Sequence, residues 1–287
     1  LATGLPVPAP DLGDAAMLWQ TVVAAWPLAL AADDHEGLAD YAARLWQWQC
    51  KALREAKLRS SWLDPQPGYE ARMQAFIDTT LVARAGLPLR RALHRAARHL
   101  AVPGARNGLA QACLRLTVPG VPDLYQGCEG WDLSLVDPDN RREVDYAQRQ
   151  RWLDDKRDWP TLLHDWADGA VKAQLVARLL RLRADHPRLF AEGRYQPLAG
   201  AGERVLAFLR DDGERQLLVA VARLGADSRA HGLALPARTW GQAALPCAPG
   251  RYRDVLEQRD VVQRGRRIAL STLLARTPVA VWLSCTD

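Results

Sequence analysis

The stretch Thr117–Tyr146, TVPGVPDLYQGCEGWDLSLVDPDNRREVDY, changes character partway along. Its first part, Val118 to Tyr125, is short and apolar. Its two prolines, Pro119 and Pro122, remove ladder donors and suit the start of a strand or a lone edge segment better than a mid-sheet position. We expect a strand over about 118–125. From Gln126 to Asp145 the chain then carries Glu129, Asp132, Asp137, Asp139, Glu143 and Asp145 beside Trp131, Asn140, Arg141 and Arg142. A loop of more than about 12–15 residues is uncommon in a compact domain and is usually functional.

On the N-terminal side of this stretch the apolar spacing is helical throughout. Met17, Leu18, Val22, Ala25 and Trp26 define one helix, with Asp14 as its expected N-cap and Pro27 as its break. Trp19 and Trp26 read as core. A second helix over 36–59 buries Leu38, Tyr41, Leu45, Trp48, Ala52, Leu53 and Ala56, and leaves Lys51, Arg54, Glu55 and Lys57 largely off that face. By itself Lys51 with Glu55 is an i, i+4 pair worth ~0.2–0.5 kcal/mol. DPQPG at 64–68 is a turn, Tyr69 to Arg84 is helical, and a basic helix follows Pro88. In that helix Leu89, Leu93, Ala96 and Leu100 form the expected apolar stripe and Arg90, Arg91, Arg95 and Arg98 the solvated face. His94 and His99 are five apart, unlike an i, i+4 metal pair, and read as surface residues. Asn107 to Leu116 reads as a separate short helix.

On the C-terminal side, Tyr146 to Trp166 reads as a helix and a turn at Pro160, and Lys172 to Asp185 as a helix ended before Pro187. Beyond Gly193 the period becomes two. VLAFLR and RQLLVAVAR flank a turn at Asp212-Gly213. Further strands are expected at 233–235, 252–256, 267–270 and 279–283, giving an antiparallel β-sandwich of about six to eight strands. The domain boundary is placed between Leu189 and Val205, dividing the chain into 1–190 and 191–287.

The 287 residues are 48% hydrophobic and 25% charged, with a net charge of +5, the profile of a globular protein. No run of about 18 uncharged apolar residues occurs, and no signal-peptide pattern opens the chain, which argues against a membrane partner. Only four of the 38 basic residues are lysine; this bias looks like coding composition, and nucleic acid is not expected as a partner. The five cysteines lack C-x-x-C spacing, so neither a metal centre nor a disulfide framework is expected, and a reducing cytoplasm fits best. No cofactor is expected. Leu1 to Pro10 reads as an irregular lead-in, and the chain opens on Leu, which suggests a piece of something longer.

Pro119, Gly120, Pro122, Leu124, Tyr125, Gly127 and Glu129 meet the pattern P-G-x-P-x-[IL]-Y-x-G-x-E, and on these residues the stretch resembles the end of the eighth barrel strand and the following loop of the α-amylase superfamily. YQGCEGWDLSLVDPDNRREVDY resembles, more narrowly, the maltooligosyl trehalose synthase family. Two further segments carry the likeness: DAAMLWQTVVAAWPL, and KALREAKLRSSW with Lys51, Ala52, Arg54, Glu55, Ala56, Lys57, Ser61 and Trp62. LLRLRADHPRLFAEGRYQPL is similar to the superfamily's last barrel helix.

The resemblance implies an α+β fragment: a helical region with the last strand and helix of a (β/α)₈ barrel, then a C-terminal β-sandwich domain. It implies an intramolecular transglucosylation of a maltooligosaccharide, turning the reducing-end α-1,4 bond into an α,α-1,1 bond. In this superfamily the catalytic carboxylates stand at the ends of the fourth, fifth and seventh strands. Their motifs do not occur ahead of residue 119, so this chain is expected to hold no catalytic residue and to depend on an upstream part of the same polypeptide. Tyr125, Gln126, Glu129, Trp131, Asp137, Asp139, Asn140 and Arg141 are the candidates for shaping sugar subsites, since carboxylates and Asn pair with hydroxyls and an indole offers a ring face. Lys51, Arg54, Glu55 and Lys57 join them through the resemblance. The competing reading makes the loop carboxylates a salt-bridge network with Arg141 and Arg142. Other functional readings are a different superfamily hydrolase or transferase, and a non-enzymatic glucan-binding module.

Overall fold

The computed structural model describes residues 9–200, 202–223 and 232–285; most of the lead-in, residues 1–8, lies outside them. The helices run α1 (Leu12–Ala24), α2 (His35–Ala56), α3 (Pro67–Leu81), α4 (Leu87–Thr117), α5 (Tyr146–Asp154), α6 (Trp159–His164), α7 (Ala170–Asp185) and α8 (Pro187–Ala191). The strands follow as β1 (Arg194–Pro197), β2 (Val205–Asp211), β3 (Gln216–Ala222), β4 (Ala244–Pro246), β5 (Gly250–Asp254), β6 (Arg259–Gln263), β7 (Arg267–Ala269) and β8 (Val279–Ser284), with a short α9 (Leu270–Leu273) before the last.

Two compact units divide the chain: Leu1–Ala101 with Leu133–Glu143, and Val102–Asp132 with Val144–Asp287. The first is built on α1, α2, α3 and the start of α4. Its core gathers Leu18, Val22, Trp26, Leu38, Tyr41, Leu45, Leu53, Met73, Ile77 and Leu135. The cap of α1 is Asp11, whose carboxylate accepts from the backbone N–H of Asp14, in place of the expected Asp14. In α2 the Asp34 side chain accepts from Gly37 N–H. A side chain at Gly37 would meet Asp34 and Leu30 at under 3 Å.

The start of α4 departs from the expected pattern. Arg90 is buried rather than solvated, at 1% exposure, whereas Leu89 and Leu100 are 43% and 53% exposed. Arg90 donates to the carbonyls of Ala32, Thr80 and Ala83. Two of these acceptors lie at the C-terminal end of α3, where carbonyls lack intrahelical partners and carry partial negative charge. A guanidinium satisfies them better than an apolar side chain would. His94 is half-buried, its ring 5.8 Å from that of Trp26, and is not the surface residue expected. The expected break between two helices is also absent: α4 continues through Pro103.

In the second unit the strands form a six-stranded antiparallel sheet of order β1-β2-β3-β8-β5-β6 and a two-stranded sheet β4-β7. The β2–β3 hairpin pairs Val205 with Ala222 through to Asp211 with Gln216, as the alternation indicates. Strand number and antiparallel pairing agree with the sequence. Residues 233–235 form no strand; Leu233 and Leu235 are buried from an irregular segment instead. Helix gives way to strand between Ala191 and Arg194. The core nevertheless runs across it: Leu109, Val171, Leu175 and Leu179 of the helices share one cluster with Phe208, Leu217, Val219 and Val281 of the sheet.

Residues 118–125, expected as a strand, make no β-ladder. No described strand runs alongside to accept or supply ladder bonds, and the two prolines withhold donors of their own. The entry to this segment is fixed by arginines instead. Arg183 donates to the carbonyls of Leu116 and Gly120, and the fully buried Arg210 donates to Thr117, Leu189 and Phe190. Beyond that, Val121 stands 96% exposed.

Candidate functional site

The candidate residues fall into two groups, one in each unit. In the first unit, Leu133–Glu143 packs on α2. Asp139, at the start of a single 3₁₀ turn, is 5% exposed. Its carboxylate takes a two-pronged donation from Arg44 at 2.8 and 2.9 Å and a third bond from Leu135 N–H at 2.7 Å, with Arg142 at 3.3 Å. Arg44 also donates to the carbonyl of Leu133. Burial works against the charge on Asp139, but these donors outweigh it and hold the carboxyl below its ordinary range.

Asp137 sits closer to solvent. Lys51 donates to it at 2.9 Å and Arg141 pairs with it, and the Lys51 ammonium is the main cause of its lowered pKa. Lys51 also lies 3.7 Å from Glu55, so the i, i+4 pair and the loop contact coexist. The Arg141 side chain is 73% exposed, and Asn140 is exposed.

Arg54, one turn along α2 from Lys51, points to a different partner. It makes two bonds to the buried Glu70 at 2.8 and 2.7 Å, while Ser60 Oγ donates to the same carboxylate at 2.6 Å and accepts from Gln66 N–H. Glu70 is held below its ordinary range chiefly by Arg54. Lys57 closes α2 as a left-handed cap, φ 57°, and is exposed. For Arg54 the structure therefore shows an internal tie, and for Lys57 a helix terminus.

In the second unit, Gly127 to Trp131 wraps around side chains from α5 and α7. Lys172 Nζ donates to the carbonyls of Cys128 and Gly130, both at 2.8 Å, and lies 5.8 Å from the Trp131 ring centroid. Burial is the main cause of its lowered pKa. The Trp131 indole donates to the carbonyl of Trp166 at 2.6 Å and packs edge-on against that ring. Glu129 pairs with Arg149 at 3.4 Å. Gly130 is required sterically, since a Cβ would come within 2.4 Å of the Trp152 ring. Tyr125 is 52% exposed and Gln126 is exposed.

Asp137, Asp139 and Lys51 were each named from the sequence, in separate segments; Arg44, which organises Asp139, was not. The only signal for Arg44 was its place seven residues before Lys51 on one helix face, close to two turns away. Neither Lys172 nor Glu70 was singled out. Among the described residues no group of His, Cys, Asp or Glu could hold a metal, and no helix is long and apolar enough to cross a membrane.

No protein-family model matches the chain. A Mycobacterium tuberculosis protein whose name assigns it to the maltooligosyl trehalose synthases is 37% identical over 252 residues, 87% of this chain and 29% of that protein. The solved maltooligosyltrehalose synthase of Arthrobacter ramosus superposes with a TM-score of 0.71 at 33% identity, covering 94% of this chain and 32% of that one. A hypothetical maltooligosyl trehalose synthase of Sulfolobus tokodaii gives a TM-score of 0.67 at 26% identity, over 96% of this chain and 33% of that one. By sequence and by fold, this chain is similar to one part of the maltooligosyl trehalose synthases, spanning 29% of the Mycobacterium relative and 32% of the Arthrobacter one.

Proposed function

We propose that this chain is the C-terminal portion of an enzyme that converts the reducing-end α-1,4 bond of a maltooligosaccharide into an α,α-1,1 bond. Residues 1–190 then close the catalytic barrel, with 118–125 as its eighth strand once neighbouring strands are supplied, and 191–287 form a C-terminal β-sandwich domain. The observation that carries this reading is the 37% identity over 252 residues. The catalytic carboxylates belong to the upstream part of the polypeptide, whose motifs this sequence does not contain. What these residues contribute is position. Asp139, locked by Arg44, anchors the loop, and Asp137 with Lys51 orients Arg141, which is mostly exposed and free to meet sugar hydroxyls.

Holding the released glucose and excluding water is the special task of such a transfer, and a misplacement of about 1 Å can cost ~100-fold in rate. Arg141→Ala in the full-length enzyme is therefore expected to lower trehalose-ended product while free glucose persists or rises. An unchanged product ratio at unchanged total rate would make Arg141 a surface residue. The purified 287-residue chain, given maltopentaose, should form no trehalose-ended product; its formation would overturn the assignment of catalysis to the upstream part.

A further inference from the structure

The segment between α2 and α3 presents an indole in an unusual setting. Trp62 is 55% exposed, flanked by Leu58 and Leu63 at 80% and 100%. The Arg54 guanidinium lies 5.0 Å from the Trp62 ring centroid. Arg54 is itself fixed, because both its bonds go to Glu70, which is 7% exposed. Ser60, two residues before Trp62, binds the same carboxylate and also takes the N–H of Gln66, so the segment is tied down on both sides of the indole. A tryptophan backed by a cation and held by a buried ion pair is rigid before any ligand arrives, which lowers the ordering cost of binding. Lys51 and Glu55 flank Arg54 on α2, and Lys51 reaches Asp137. Lys51 stands three residues before Arg54, and positions i and i+3 of a helix are neighbours about 5–6 Å apart.

We propose that Trp62 is a stacking platform for a pyranose ring of an α-1,4-glucan. The proposal rests on the glucan-active reading above for the identity of the sugar. An aromatic face takes the C–H face of a pyranose. The guanidinium beside the ring adds to the preference for this residue over an aliphatic one.

The test is isothermal titration of the 287-residue chain with maltopentaose. Trp62→Ala is expected to weaken binding about tenfold and Trp62→Phe to retain most of it. Circular dichroism checks that each variant is folded. A second readout needs no substitution: oxidation of Trp62 by N-bromosuccinimide, read by peptide mass spectrometry, should slow with maltopentaose and not with mannitol. Equal affinity in Trp62→Ala, absence of binding by the native chain, or unchanged oxidation with sugar would each overturn the proposal. So would slow oxidation of Trp62 in the sugar-free full-length enzyme, since the ring would then be covered by protein. The trehalose assay is independent of these outcomes, so the platform can fail while the proposed function stands, and the reverse.

Discussion

Asp139 and Glu129 lie ten residues apart in one acidic run, and the fold treats them differently. Asp139 is 5% exposed and receives two bonds from Arg44, one from Leu135 N–H and the approach of Arg142. The Glu129 side chain remains 30% exposed and has Arg149 at 3.4 Å. The first is a structural fastener for its loop; the second is a solvated partner of a nearby helix. What separates them is the quality of the donor that the fold delivers, because a planar guanidinium matched to a carboxylate gives directional bonds that a glancing contact does not.

Removing the fastener should have the largest effect. Arg44→Ala leaves the Asp139 carboxylate buried without its main donor, and breaking such a pair costs about 3 kcal/mol, at the lower end of the range for buried pairs because the Arg44 side chain is still 20% exposed. Denaturant unfolding should show this loss. Arg44→Lys should recover little of it, since an ammonium keeps the charge but not the fork. A loss indistinguishable from that of a surface substitution would erase the contrast with Glu129.

Acid should act next. The folded Asp139 carboxyl lies below its ordinary value of about 3.9. Its contribution is therefore fully present above that value and is lost as pH falls below it, through the folded pKa. Asp139→Asn should flatten this acid limb of the stability curve. An acid limb of the same slope in the variant would show that other carboxylates carry it.

Smallest of all should be Glu129→Gln, which disturbs a half-open pair at long distance and is expected to cost under about 1 kcal/mol. The loop around it has other ties, the two carbonyl bonds to Lys172 and the Trp131 indole bond to Trp166. If Glu129→Gln proved as damaging as Arg44→Ala, burial would be the wrong measure of which carboxylates hold the structure.

The contrast between the two arginine-bearing helices teaches the same lesson. In α2 the apolar period named most of the buried face, with Leu38, Tyr41, Leu45 and Leu53 inside, though Ala56 is exposed. In α4 it failed, because Arg90 is inside and Leu89 outside. Periodicity reports hydrophobic burial, and it cannot report an arginine recruited to satisfy the carbonyls ending another helix. Trp131 was named from the sequence as a ring face for a sugar; that its indole N–H donates to the Trp166 carbonyl was not legible there.

By itself the sequence determined the α+β order, the helical character of the residues before 117, the β2–β3 hairpin and the likeness carried by YQGCEGWDLSLVDPDNRREVDY. All of these depend on local spacing or on residue identity, which are written along the chain. Tertiary structure alone decided that Arg44 fastens Asp139, that Arg54 serves Glu70, that Arg90 and Arg210 are buried, and that 118–125 makes no ladder here. Each of these turns on which partner arrives from far along the chain. A charged side chain reads the same whether solvent or a carbonyl awaits it, and a strand exists only when another lies beside it to complete the hydrogen bonds.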